Sequence, residues 1–341
     1  MHAPDFVRLA SVLAAGALLA SCGGGGSANP PVTPAVPPMM PAGIAPQSVA
    51  ESSATRSTLG ASAVVCTPII TVNPATQLNH SRTARFVDPD RDDFSGEQEG
   101  EHGEGARNID GTGCDYTIYL SPKSKHARIN HARVHGGAHI QIVADGAQDV
   151  QIRETAVNGG QDPVVCNVFL TSCKDGVWFT AGASGSIERS FVANASTGVV
   201  IYNGAHALVG ETLITNTSFL GVNILTNANG TVEDTLIDNA TNTGSGVAVQ
   251  LASIGVLRRT TAIGKGGPSS GGAPQYGFFF GHNHPTVTTD HLKAIHNQTG
   301  FGSYCAIGIN SVADLTNAHD SAVNSTLANY VVNNTPGINC T

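Results

Sequence analysis

SIERSFVANAS (186–196), LVGETLITNTS (208–218) and TVEDTLIDNAT (231–241) repeat one pattern. An apolar residue comes first, a small hydroxyl residue follows three places later, a second apolar residue two places after that, and Asn closes the unit. Working outward, the same frame fits QIRETAVNGG (151–160) and RINHARVHGG (128–137) upstream, and VLRRTTAIGKG (256–266) and TVTTDHLKAIH (286–296) downstream, with a weaker copy near Leu315. The first apolar positions are Ile129, Ile152, Ile187, Val209, Val232, Leu257 and Val287, spaced by 23, 35, 22, 23, 25 and 30 residues. A fixed short period with occasional long gaps is the mark of a solenoid whose coils carry inserted loops.

Each column has a physical reading. Thr155, Ser190, Thr212, Thr235 and Thr260 offer small side chains for a tight corner. Val134, Val157, Val192, Ile214 and Ile237 supply a buried strand position. Asn194, Asn216 and Asn239 are placed to bond amide to amide from coil to coil, as in stacked cross-β ladders. His131, Glu154, Arg189, Glu211, Asp234 and Arg259 form a charged column in which opposite signs come to contact distance, because neighbouring coils lie ~4.8 Å apart. Exposed pairs of this kind contribute about 0–1 kcal/mol each, so they set register more than stability.

A second strand precedes each unit by about ten residues: QIVA (141–144), GVWF (176–179), GVVI (198–201), GVNI (221–224), GVAV (246–249) and GFFF (277–280). Alternation predicts Val177, Val199, Val222 and Val247 inside, beside Phe179, Ile201, Ile224 and Val249. One such coil cannot bury its apolar face alone; a stack of them can. The 3.6-residue apolar period of helical repeats and the six-residue period of left-handed β-helices are both absent.

The whole pattern, Gly-hydrophobic-x-hydrophobic followed by Ile/Val-x-x-Thr-x-Ile/Val-x-Asn, resembles the right-handed parallel β-helix superfamily, whose best-known members are pectate lyases. The resemblance covers residues 106–341 and implies an all-β, single-stranded solenoid of about eight coils, a rod on the order of 40 Å long. Residues 61–105 are expected to form an N-terminal cap or irregular acidic lead-in.

The beginning of the chain reads differently. Arg8 precedes an apolar run from Leu9 to Ala20, too short for a bilayer span but suited to a signal-peptide core. Leu19-Ala20-Ser21-Cys22 resembles the bacterial lipobox, which implies cleavage after residue 21 and acylation of Cys22. Acyl chains give membrane affinity at ~0.8 kcal/mol per buried methylene, and Gly23 rather than Asp after the Cys implies the outer membrane. Residues 1–22 are thus a lipoprotein signal, and 23–60, rich in Gly and then Pro, a tether. The six remaining cysteines, Cys66, Cys114, Cys166, Cys173, Cys305 and Cys340, suit an exported chain with disulfides. Cys66–Cys114, Cys166–Cys173 and Cys305–Cys340 is one of fifteen pairings.

Composition agrees. Of 341 residues, 12% are charged and 5% aromatic, and there are 40 glycines, as befits short strands joined by tight turns. The net charge of -8 argues against a nucleic-acid partner, which needs a basic surface.

In the resembling superfamily, carbohydrate lies along the outer face of one sheet. Applied to the Gly-Val strands, the outward positions are Val143 and Asp145, Trp178 and Thr180, Val200 and Tyr202, Asn223 and Leu225, Ala248 and Gln250, then Phe279. Insertions at 161–173 and 264–275 would wall the floor. Trp178, Tyr202, Asn223, Gln250 and Phe279 are the expected carbohydrate-binding residues: aromatic faces stack on sugar C–H surfaces and amides pair with hydroxyls. A lyase needs a base and a cation for the uronate carboxylate, and an inverting hydrolase needs two carboxyl groups ~6.5–9.5 Å apart. The floor offers neither, and the pectate-lyase and polygalacturonase signatures are missing. The function expected is therefore polysaccharide binding with lyase-like or hydrolytic processing left open; a non-catalytic adhesin or structural rod is the alternative. His131, His135, His139, His282, His284, His291 and His296 are a second set of candidate bases or ligands. Asp88, Asp90, Asp92 and Glu99 occupy positions 1, 3, 5 and 12 of an EF-hand-like Ca2+ loop, with Asp93 where Gly is needed for the turn.

Overall fold

The computed structural model describes residues 107–160, 174–240, 247–267, 275–281 and 284–333. They wind as one right-handed parallel β-helix of about eight coils. Each coil contributes a front strand, a rear strand and a short side strand. The fronts are Tyr116–Leu120, Ile140–Asp145, Asp175–Thr180, Thr197–Tyr202, the first parts of Leu220–Glu233 and Val247–Arg258, then Tyr276–Phe280, Thr299–Tyr304 and Ala328–Asn333. The side strands, from Arg107–Asp110 to Ser321–Val323, stack into a nine-stranded sheet. The signal, tether and cap regions (1–22, 23–60, 61–105) lie outside the described residues.

The interior is a set of ladders. Val177, Val199, Val222, Val249, Phe278 and Phe301 pair in turn at the front. Ile129, Ile152, Ile187, Val209, Val232 and Leu257 do so at the rear, and Val134, Val157, Val192, Ile214, Ile237, Ala262, Ala294 and Ala322 at the side. All are buried, each large side chain contributing about 1.5–3 kcal/mol. Toward the C-terminus the side ladder shrinks to Ala while the front ladder swells to Phe, with Phe278 stacked on Phe301 at 5.0 Å. Volume is conserved across the core, as close packing requires. In the last complete coil a one-turn helix, Val312–Asn317, replaces the rear strand and drives Leu315 into the core.

Two corners explain the repeat. Between rear and side strands one non-glycine residue adopts positive φ in every coil: His131, Glu154, Arg189, Glu211, Asp234, Arg259, His291 and His319, at 44° to 61°. This costs about 1 kcal/mol per residue. The conformation persists because each residue from His131 to His291 donates its N–H to a carbonyl of the next coil. The following hydroxyl turns inward: Thr155, Thr212, Thr235 and Thr260 each donate to the carbonyl two residues back and sit within bonding distance of one in the preceding coil. The small residue at this corner is thus a buried carbonyl partner as well as a spacer. At the front corner, a Cβ on Gly198 would lie 2.6 Å from the carbonyl of Gly221 and 2.6 Å from Ile214 Cγ2, so only glycine fits.

Three expectations need correction. Val249, not Val247, continues the Val177–Val199–Val222 ladder, because Val247 pairs with Leu220; Gln250 therefore lies beside Asn223, and Ala252 beside Leu225. Thr289, not Val287, continues the rear ladder after Leu257, since Val287 pairs with Gly255. The Asn ladder is real for Asn216 and Asn194, whose amides bond at 2.5 Å, and extends upstream to Asn158. Asn239 leaves it: buried, it accepts the Thr217 N–H at 2.9 Å and donates to Thr217 Oγ1.

Cys114, in the first coil, and Cys305, near the last, are each disulfide-bonded and lie too many rungs apart to be each other's partner. Cys66, Cys166, Cys173 and Cys340 lie outside the described residues, as does Cys22.

Candidate functional site

The outer face of the front sheet is a second, smaller packed layer. Its central row runs Tyr119, Val143, Trp178, Val200, Asn223, Gln250, Phe279, Gly302, each paired with the next on the adjoining coil. A flanking row carries Tyr202, Leu225 and Ala252. The expected floor residues thus share one face, and four rungs, about 19 Å, separate Trp178 from Phe279.

That face is not an open floor. Trp178 is 7% exposed, Asn223 5%, Gln250 2% and Phe279 4%; Tyr202 is half-buried. The insertions expected as walls, 161–173 and most of 264–275, lie outside the described residues. Alternation shows which side a residue takes; exposure depends on what packs over it.

Aromatic side chains gather at both ends. Trp178 meets Tyr202 edge-on at 6.3 Å, and Tyr116 and Tyr119 pack at 5.8 Å in the same layer. At the other end Phe279 lies 5.1 Å from Tyr276 and 5.6 Å from Tyr304. Trp178, Tyr202 and Phe279 were legible as outward aromatics in the sequence; Tyr116, Tyr119, Tyr276 and Tyr304 were not picked out there. Tyr119 and Tyr304 have the outward parity of their strands, but Tyr116 and Tyr276 stand three residues before an outward position, so alternation alone does not place them in this layer.

Between the clusters lie the two amides. Asn223 Oδ1 and Gln250 Oε1 are buried and, among the described residues, accept no hydrogen bond. Leaving a buried acceptor unpaired costs about 1–3 kcal/mol, and here two stand on adjacent rungs.

Two carboxyl groups border the face. Tyr119 Oη donates to Asp145 Oδ2 at 2.5 Å, and burial, more than this bond, drives the phenol well above its ordinary range. Asp175 was not among the residues the sequence pattern pointed to. Its Oδ1 accepts the Thr197 N–H at 2.8 Å and its Oδ2 the Trp178 Nε1–H at 3.0 Å. Although the residue keeps some exposed surface, its carboxyl group is enclosed, and burial pushes its pKa up to about 7 against those bonds. A carboxyl three residues before a Trp was the available signal, but the bond from the next coil's backbone shows only in three dimensions.

The other candidates are scattered. His131 pairs with Glu154 at the charged corner, and His135 Nε2 lies 2.9 Å from Asn108 Oδ1. His139 Nδ1 is buried without a partner. His291 stacks on His319 and contacts Asp290 at 2.6 Å, while His296 abuts the Gly266 turn. His284 takes positive φ in its turn. Among the described residues no group of three or more His, Cys, Asp or Glu could hold a metal ion. His282 and the Asp88, Asp90, Asp92, Glu99 set lie outside them.

A family described as "Right handed beta helix region" matches residues 116–340. No curated protein matches the chain. Among solved structures, an alginate lyase from Paenibacillus sp. str. FPU-7 aligns at 13% identity with a TM-score of 0.32, covering 65% of this chain and 78% of that one.

Proposed function

We propose, from the premise that this chain belongs to the right handed beta helix family, that it binds a polysaccharide along the front sheet without cleaving it, while a lipid on Cys22 holds it at the outer membrane. The observation that carries this reading is the pair of unpartnered acceptors, Asn223 Oδ1 and Gln250 Oε1, set between aromatic clusters. An amide oxygen lacking a donor is satisfied by a hydroxyl, and sugars bring hydroxyl groups at regular intervals. Tyr202 and Tyr304, both half-buried, are where sugar rings would first stack.

Binding is favoured over turnover by the state of the acid on this face. A carboxyl near pKa 7 could exchange protons at neutral pH. Both oxygens of Asp175, however, are engaged by donors of the protein itself.

The test is a panel of neutral and acidic polysaccharides measured by affinity electrophoresis and calorimetry, with an absorbance assay for unsaturated uronides alongside. A retained ligand whose affinity falls roughly tenfold or more in Asn223→Ala/Gln250→Ala and in Tyr202→Ala supports the reading. Unchanged affinity in both variants, or product in the lyase assay, overturns it. For the anchor, Cys22→Ser should abolish acyl labelling and release the chain from membranes; a chain that stays bound contradicts lipidation as the means of attachment.

A further inference from the structure

The side sheet carries a surface that the glycan reading does not use. Phe191, Leu213 and Leu236 are paired on consecutive rungs and are 40%, 36% and 36% exposed. On either side the stripe ends in smaller residues, Ala156 and Thr261. Beside it, around the positive-φ corner, stand Glu154, Arg189, Glu211, Asp234 and Arg259, one per rung and all exposed. Within the chain Arg189 reaches Glu154 at 3.5 Å and Arg259 reaches Asp234 at 2.6 Å.

We propose that two copies of this chain pair antiparallel through this face, with Leu213 at the two-fold axis. Reversing the column about the Leu213 rung sets Phe191 against the partner's Leu236 and Arg189 against the partner's Asp234. One rung further, Glu154 meets the partner's Arg259. Each intramolecular pair thus faces its opposite and closes an alternating four-charge cluster, one on either side of the axis, along the flank of the apolar strip. Pairing with the coils running the same way would instead carry the two charged columns to opposite flanks of the strip, so that neither column meets the other. The self-complementary arrangement is the one a closed two-fold contact needs. Its limits are also set by charge. Three rungs out, Arg133 would face the partner's Lys293, so the contact spans the five rungs from Ala156 to Thr261, about 19 Å. Glu211 meets the partner's Glu211 on the axis, the one like-charged contact inside these limits.

A mixed-charge rim with an apolar centre is the anatomy of a protein interface. An anionic membrane would want a basic face, and a glycan would want aromatic rings with free hydrogen-bonding groups. A second copy satisfies both the strip and the order of charges.

Sedimentation velocity of the purified full chain over a wide concentration range tests this. The expected result is a reversible monomer–dimer equilibrium that weakens with salt. Leu213→Asp should raise the dissociation constant roughly a hundredfold, and Arg189→Asp or Asp234→Arg alone roughly tenfold. Arg189→Asp/Asp234→Arg should recover most of that loss, and Glu211→Gln should tighten the dimer. A wild-type chain that stays monomeric, a dimer indifferent to Leu213→Asp, or a double variant no better than its parents overturns the proposal. A native-like far-ultraviolet circular dichroism spectrum and a cooperative melt for each variant verify that folding is intact.

Discussion

The rear-to-side corner and the outer face of the front sheet are built from the same coils, yet one repeats and the other does not. At the corner each coil presents a positive-φ residue, and most follow it with a buried hydroxyl. On the front face the central row changes at every rung: Tyr, Val, Trp, Val, Asn, Gln, Phe, Gly. Identical positions satisfy each other, so the corner leaves few groups unpaired. A row of unlike residues cannot do so, and it leaves two amide oxygens without donors. Repetition marks what holds the solenoid together, and its failure marks where something else is to be held.

The contrast can be broken most severely at the front corner. Gly198→Ala forces a Cβ to 2.6 Å from the Gly221 carbonyl and should cost about 3 kcal/mol or more, read as a large drop in the denaturant midpoint. An alanine tolerated at this position would mean that coil-to-coil contact there is loose and that the ladder argument fails.

Next in size is the dependence on pH. Asp175 has its pKa raised to about 7 by burial, against an unfolded value of about 3.9. The fold therefore favours the protonated form. Its contribution is fully present below about pH 4 and is lost as pH rises through the folded value, on the order of 4 kcal/mol for the full shift and nearer ~3 once the residue's partial exposure is allowed for. Asp320, raised to about 6 by burial, acts in the same sense. Exposed Asp110, Asp149, Asp234 and Asp314 are lowered, mainly by hydrogen bonds from Thr112, His126, Arg259 and the Asn310 backbone, and act in the opposite sense. Melting curves from acid to neutral pH should thus show a decline in the wild type that is shallower in Asp175→Asn. An equal decline in both would show that the enclosed carboxyl is not its source.

How much of this the sequence showed follows the same division. The corner was legible because Thr155, Thr212, Thr235 and Thr260 stand in fixed phase with the apolar positions. The side ladder was legible through Val192, Ile214 and Ile237. Register failed where the period failed. The strands Leu220–Glu233 and Val247–Arg258 run through the front-to-rear corner with a shift between Leu225 and Asn229, so counting residues from Gly246 put Gln250 on the wrong row. The five floor residues were assigned to the right side of the sheet by parity alone. Their burial, the Asp175 hydrogen bonds and the orphaned amides arise between coils or beyond the strand, and no pattern within one repeat encodes them.

A smaller effect tests the repeating corner. Thr212→Val keeps the shape of the side chain but removes a donor that bonds the Gly210 carbonyl at 2.7 Å. That carbonyl keeps the Arg189 N–H, so the loss should be about 1 kcal/mol, measured by chemical denaturation. The front row should answer with the opposite sign. Asn223→Leu replaces an amide whose oxygen has no donor with an apolar side chain of similar size, relieving the penalty of an unpaired buried acceptor. Stability should rise by a few tenths of a kcal/mol to about 1. A corner that gains and a face that loses would invert the division drawn here. A face that gains stability while losing glycan affinity would show that Asn223 is kept for what it binds, since a residue selected for packing alone would not be improved by its removal.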